Sequence, residues 1–174
     1  MKLESSLTLL LIGCIWPLGL FASGPESTTT TLPANDSVRI ELEVIAKAHQ
    51  AARKGDDASA DVQLAASTAL DVAPSVLLAR RAMAVCGRLQ NDNEYARANK
   101  VAQRALRRLA HMKENNDQDR VERLYWEALL DGRILDHKAV AIERLEEAKT
   151  LIPDDERVVD LRREFAASMA QFGR

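Results

Sequence analysis

Few side chains in this sequence could do chemistry, and those few are scattered. Three histidines, His49, His111 and His137, fall in different predicted elements, so each reads as a surface or packing residue rather than as a metal ligand. The chain has no H-E-x-x-H, no G-x-S-x-G, no glycine-rich phosphate loop and no C-x-x-C. These absences remove the metalloprotease, serine-hydrolase, nucleotide-binding and thiol-redox patterns. Asp and Glu pairs abound, but on amphipathic helices they form a solvated face. The expectation is a protein with no catalytic residue, no metal and no cofactor.

Its two cysteines sit in unlike settings. Cys14 lies in an N-terminal apolar run, and Cys86 lies within a helical pattern, where a buried packing thiol is its expected role. Removal of the leader upstream of Ser23 leaves Cys86 alone and excludes an intramolecular disulfide.

The arginines and lysines are more informative. Net charge is −2, with no bias toward nucleic acid or membrane. Residues 80–113, however, carry 9 basic and 2 acidic side chains, between acidic segments on both sides. Within them Arg97, Lys100, Arg104, Arg107 and His111 alternate spacings of three and four, which places them on one helical face. Such a stripe either docks an acidic partner or anionic envelope lipid, or pairs with acids of adjoining helices.

The elements that position these residues begin with an address. Residues 1–22 carry Lys2 and Glu4, an uncharged apolar run from Leu7 and small residues at the end, which describes a secretory signal. The run contains Pro17 and Gly19 and is short for a membrane span. Leu11-Ile12-Gly13-Cys14 resembles the lipobox of bacterial lipoproteins, which marks Cys14 as a candidate lipidation site. Residues 23–37, SGPESTTTTLPANDS, lack apolar periodicity and read as a flexible Ser/Thr/Pro-rich tether. Asn35-Asp36-Ser37 fits a glycosylation acceptor in a eukaryotic secretory host, while Asp36 or Ser37 is the expected cap of the first helix.

Residues 38–174 are expected to be all-α. Aromatics are only 4%, Ala and Leu supply most of the apolar residues, and Gly (7) and Pro (5) are scarce, which favours helices over sheets. Punctuation at Gly55, Pro74, Asn91-Asp92-Asn93, Asn115-Asn116, Asp136 and Pro153 predicts helices over about 37–54, 59–72, 75–89, 94–113, 118–134, 138–151 and 155–171. Small residues recur at matched spacing: Val62, Ala66, Ala69, Pro74; Ala98, Ala102, Ala105; and Ala141, Leu145, Ala148, Pro153. Ala82, Val85, Cys86 and Leu89 occupy the matching first helix of the middle unit, Tyr125, Ala128, Leu129 and Gly132 that of the third, and Ile45, Ala48, His49 and Ala52 that of the first.

In these repeats the chain resembles the tetratricopeptide repeat (TPR) family, whose second helix carries A-x3-F-x2-A-x4-P. The resemblance covers about 42–153. It implies a short right-handed solenoid of about three helical hairpins, closed by a C-terminal capping helix with Val158, Val159, Leu161, Phe165 and Met169 on its apolar face. It also implies an inner groove lined by first helices, on which Gln50, Arg53, Arg80, Met83, Gln90, Arg123, Trp126 and Arg133 would lie. Arginine grips carboxylates with paired hydrogen bonds, and tryptophan supplies a rigid apolar anchor. A slip of one residue in register would instead bury Trp126.

The expected function is a non-catalytic interaction scaffold of the periplasm or cell envelope that recruits a partner protein or acidic peptide. The alternative is a pilotin-like, outer-membrane-anchored lipoprotein that assists assembly through a lipidated Cys14. Membrane association is expected only with that lipid or a retained leader.

Overall fold

The computed structural model describes residues 34–67 and 72–172. The expected signal peptide, Cys14, the tether up to Pro33 and residues 68–71, including Ala69 of the repeat pattern, lie outside the described residues. The described chain is all-helical: α1 (Ala34–Lys54), α2 (Asp57–Leu64), α3 (Pro74–Asn91), α4 (Tyr95–Leu109), α5 (Asp117–Leu129), a π turn (Leu130–Ile134), α6 (Lys138–Leu151) and α7 (Glu156–Phe172). None of its helices is long and apolar enough to cross a membrane.

Helices α1 and α2, α3 and α4, and α5 and α6 pair as neighbours, and α7 packs on α6. Helix α3 also touches both α1 and α5, so the first helices stand side by side. Each pair turns through one residue in the left-handed region: Gly55 (φ 79), Asn93 (φ 62) and Asp136 (φ 59). Gly, Asn and Asp are the residues that tolerate this conformation. The turns close alike, with Asp56 N–H donating to Ala51 O at 3.0 Å and Glu94 N–H to Leu89 O at 2.8 Å. In the third turn His137 N–H reaches Asp131 O at 2.8 Å, one residue further back, where the π turn winds the chain more widely.

Counting from these left-handed residues aligns the hairpins. Ala60, Ala98 and Ala141 follow at the same interval, as do Leu64, Ala102 and Leu145 four residues later, and all six are at most 2% exposed. The alanines among them let the paired helices approach closely.

This register corrects the first unit. Val62, expected in the core, is 67% exposed, and Ala66 lies past the end of α2, which stops at Leu64 rather than near 72. The sequence match was drawn to Pro74 as a helix terminator, but Pro74 opens α3, where its missing N–H costs no hydrogen bond. Helix α1 starts at Ala34, inside the expected tether, with Asp36 in its first turn, where a carboxylate complements the helix dipole.

The core forms two clusters. One runs through α1–α4 and the π turn, including Ala48, Ala82, Val85, Leu89, Leu109 and Leu130; the other joins α5, α6 and α7 through Val121, Leu124, Leu145, Val158, Leu161 and Phe165. Met83 and Trp126 pack against both. Cys86 is buried, with its Sγ 3.3 Å from Ala98 O, and burial pushes its thiol up to about 12. Val158, Leu161 and Phe165 anchor α7, whereas Met169, expected on the same face, is exposed near the helix end.

Candidate functional site

The side-by-side packing of α1, α3 and α5 leaves a cleft of about 330 Å³. It is lined by Glu41 and Ile45 from α1, Leu77, Arg80, Arg81, Met83 and Ala84 from α3, and Trp126 from α5. Three of the eight predicted groove residues, Arg80, Met83 and Trp126, therefore converge on one cleft.

Helical spacing explains the convergence. Arg80, Met83 and Ala84 lie within one turn on the side of α3 opposite Ala82, Val85 and Cys86, which hold the core. Counting back from Gly55 and Asn93, Leu42 and Ile45 occupy in the first hairpin the places of Arg80 and Met83 in the second. Trp126 is half-buried, with its edge against the Tyr125 ring (centroids 5.7 Å apart, planes at 85°) and its Nε1–H donating to Glu122 at 2.9 Å. Its tilt between core and groove combines the two roles open to it in the sequence.

Charge in the cleft is mostly committed. Arg81, 1% exposed, holds Glu41 with two parallel bonds of 2.5 and 2.7 Å, and donates to the carbonyls of Leu64 and Ala66 at 3.1 and 2.6 Å. It thereby ties α1, α3 and the C-terminus of α2, supplying the donors that the last carbonyls of a helix lack. Arg80 is different. Its guanidinium lies over the Trp126 ring, 5.8 Å from the centroid, and no carboxylate among the described residues pairs with it. An arginine stacked on an indole keeps its N–H edge open to an incoming acceptor.

The other predicted groove residues lie elsewhere. Gln50 borders a hollow between α1 and α2, with Lys47, Lys54, Asp56 and Gln63. Arg53 is exposed, 3.9 Å from Asp92, and Gln90 is half-buried near the end of α3. Arg133, on the π turn, pairs with Glu164 of α7 at 2.9 Å. Arg123 is mostly buried: its Nη1 donates to Glu127 at 2.6 Å and its Nε stands 3.4 Å from Glu114.

Arg123 belongs to a buried chain of charges. Ser75 bonds Glu114; Arg144 Nη1 donates to Glu127 and its Nε to Asp131, both at 2.7 Å. Burial pushes the Glu127 carboxyl above its ordinary range, while Arg123 and Arg144 pull against that shift. Each buried acid is held by arginine, so the cluster ties α3, α5, the π turn and α6 rather than presenting a free acid–base pair. Sequence reasoning missed Arg81, Glu127, Asp131 and Arg144. The available signal was a charged residue at an apolar-face position: Arg81 between Leu78 and Val85, Glu127 beside Leu124 and Ala128.

The basic stripe of α4 turns inward to a neighbour. Lys100 meets Asp57 at 2.5 Å, Arg104 forks onto Asp61 through Nε at 3.2 and 3.1 Å and through Nη2, and Arg97 reaches Glu94 and the carbonyl of Arg53. The Lys100 and Arg104 pairs fasten α4 to α2, Arg97 reaches α1, and the Asp61 carboxylate holds the Arg104 guanidinium above its ordinary pKa. Arg107 and His111 remain exposed. Among the described residues no group of three or more His, Cys, Asp or Glu is placed to hold a metal ion.

No family model matches the chain, and neither the curated proteins nor the solved structures include one that matches it.

Proposed function

We propose that the protein is an exported, non-catalytic interaction scaffold of the cell envelope, whose three hairpins are TPR-like repeats in a short right-handed solenoid capped by α7. The matched turns at Gly55, Asn93 and Asp136 and the matched small residues after them support the repeat reading. The partner presents a segment with apolar side chains and a carboxylate to the α1–α3–α5 cleft. One observation carries this: Arg80, paired with no carboxylate among the described residues, lies over Trp126 at an apolar cleft. Aromatic and arginine side chains at a concave apolar site are the usual anchors of binding energy.

The test places a photo-crosslinking residue at Ala84, in the cleft, and in a second variant at exposed Tyr95 on α4. Exposed to envelope extract, the Ala84 variant is expected to trap a partner that the Tyr95 variant does not, and Arg80→Glu to remove that adduct. Equal labelling from both positions would sink the cleft reading. The Leu11-Ile12-Gly13-Cys14 motif favours a second reading, a pilotin-like lipoprotein. The mass of the mature N-terminus decides it, since an acylated Cys14 supports this reading and a free terminus near Ser23 removes it.

A further inference from the structure

We infer that the occupant of this cleft is an amphipathic α-helix of the partner, rather than an extended peptide; the inference rests on the cleft being the binding site. Two strips, each of exposed and half-buried residues, run beside each other. On α1, Val38 (59% exposed), Leu42 (53% exposed), Ile45 and His49 recur at i, i+4, i+7 and i+11. On α3, Arg80, Ala84, Gly87 and Asn91 recur at the same intervals. Glu41 with Arg81 and His49 with Asp92 pair the two helices in parallel along this length. Eleven residues of helix rise about 16 Å, which matches about three turns of a docked helix.

The α3 strip is itself a low floor. A Cβ built on Gly87 meets nothing within 4 Å, and Ala84 beside it is small, so a helical backbone can approach closely there. On α1 the exposed Val38 and Leu42 continue, as an apolar rail, the face from which Ile45 lines the cleft, and Trp126 lines it from α5. Large aliphatic residues this exposed, spaced as a comb, fit the ridges of a helix carrying anchors at i, i+3 or i+4, and i+7.

Hydrogen bonding favours a helix over the extended alternative. An extended peptide leaves its N–H and C=O groups unpaired and needs a strand edge or polar side chains to satisfy them. The described residues contain no strand, and the lining Ile45, Leu77, Met83 and Ala84 has no donors to offer. Glu41 is engaged by Arg81, and the Trp126 N–H is taken by Glu122. A helix arrives with its backbone satisfied, and a single carboxylate on its flank answers Arg80.

The probe is a fluorescent peptide of about 16 residues, locked as a helix, with leucines every three or four residues and a flanking glutamate. Its control has the same leucines and glutamate but two central prolines that forbid the helix. Anisotropy titration against the full chain is expected to show the locked peptide binding about tenfold or more tighter than its control. Gly87→Leu, which fills the floor, and Leu42→Glu, on the exposed rail, are each expected to weaken it about tenfold. Thermal melts of both variants are expected to stay at or above the parent's, because neither position supports the core. Equal binding of the two peptides, lost on Arg80→Glu, overturns the helical occupant and leaves the cleft reading standing. Failure of both peptides to bind overturns both.

Discussion

One chemical change, glycine to alanine, is expected to act with opposite sign at two helical positions. At Gly132, in the π turn, an added Cβ would lie 2.9 Å from Cε1 of Phe165 and closer still to Cζ and Cε2. Phe165 is 2% exposed and sits among Val158, Leu161 and Leu145, so its ring has little room to retreat. Overpacking of this kind costs about 1–3 kcal/mol, against which the better helix propensity of alanine returns at most about 1 kcal/mol. Three ring contacts this short put the cost in the upper part of that range, about 2–3 kcal/mol, so the net is a destabilisation of about 1–2 kcal/mol for Gly132→Ala. At Gly87, in the middle of α3, the Cβ meets nothing and the propensity gain stands alone, so Gly87→Ala stabilises by about 0.5–1 kcal/mol. For a domain of this size the two melting temperatures should separate by roughly 6–12 °C, straddling the parent in calorimetric or circular-dichroism melts. Phe165→Leu added to Gly132→Ala should cost less than the sum of the single changes, because the smaller side chain removes the clash and the added methyl fills part of the space the ring leaves. Two shifts of the same sign, or additive costs at Gly132 and Phe165, would refute the close packing of α7 on the π turn.

Three further outcomes follow from charges and thiols. Arg81→Met strands Glu41 and the carbonyls of Leu64 and Ala66, and is expected to destabilise by about 3–5 kcal/mol in urea unfolding, since breaking a buried pair leaves an uncompensated charge. Asp155 caps α7, accepting from Arg157 N–H at 3.0 Å and Val158 N–H at 3.4 Å, and its hydrogen bond with the Arg157 side chain holds its carboxyl below the ordinary 3.8. A depressed folded-state pKa adds stability that is full above 3.8 and is lost as pH falls through the lowered value. Asp155→Asn keeps a capping acceptor but not the charge, so its deficit in stability should be present at neutral pH and vanish on acidification, as followed by melts across pH. Cys86, with its thiol pushed up to about 12 and no exposure, should resist iodoacetamide in the folded chain and react only as it unfolds, a difference read by mass spectrometry.

The helices were legible because their punctuation is local. Gly55, Asn93 and Asp136 mark turns that need a left-handed residue, and the apolar runs between them have helical period. The first unit was misaligned because Pro has two meanings near a helix: it ends one and it begins one. Spacing to Pro74 gave it the first sense, while the structure uses the second and stops α2 at Leu64, where Arg81 takes the carbonyls. That clasp joins residues 17 apart in sequence through a side chain, and no pattern along one helix reports it.

Arginine shows why the cleft was only partly legible. Helical phase places Arg80 and Met83 on one side of α3, and the packing of α5 brings Trp126 to the same cleft. Whether an arginine is free to bind depends instead on which acid the fold brings to it. Arg104 lies in a stripe whose sequence allows either docking or pairing, and α2 decides for pairing by supplying Asp61, while Arg123, expected as a groove cation, is enclosed by Glu114 and Glu127. A buried or forked guanidinium already committed to a carboxylate has little left to offer a partner, and removing it injures the fold before it injures binding. Charge reversal at Arg123 therefore places a glutamate between Glu114 and Glu127 and tests stability, not recognition. Arg80, stacked on Trp126 and paired with no carboxylate among the described residues, is the position where the same substitution tests the proposed binding with least injury to the fold.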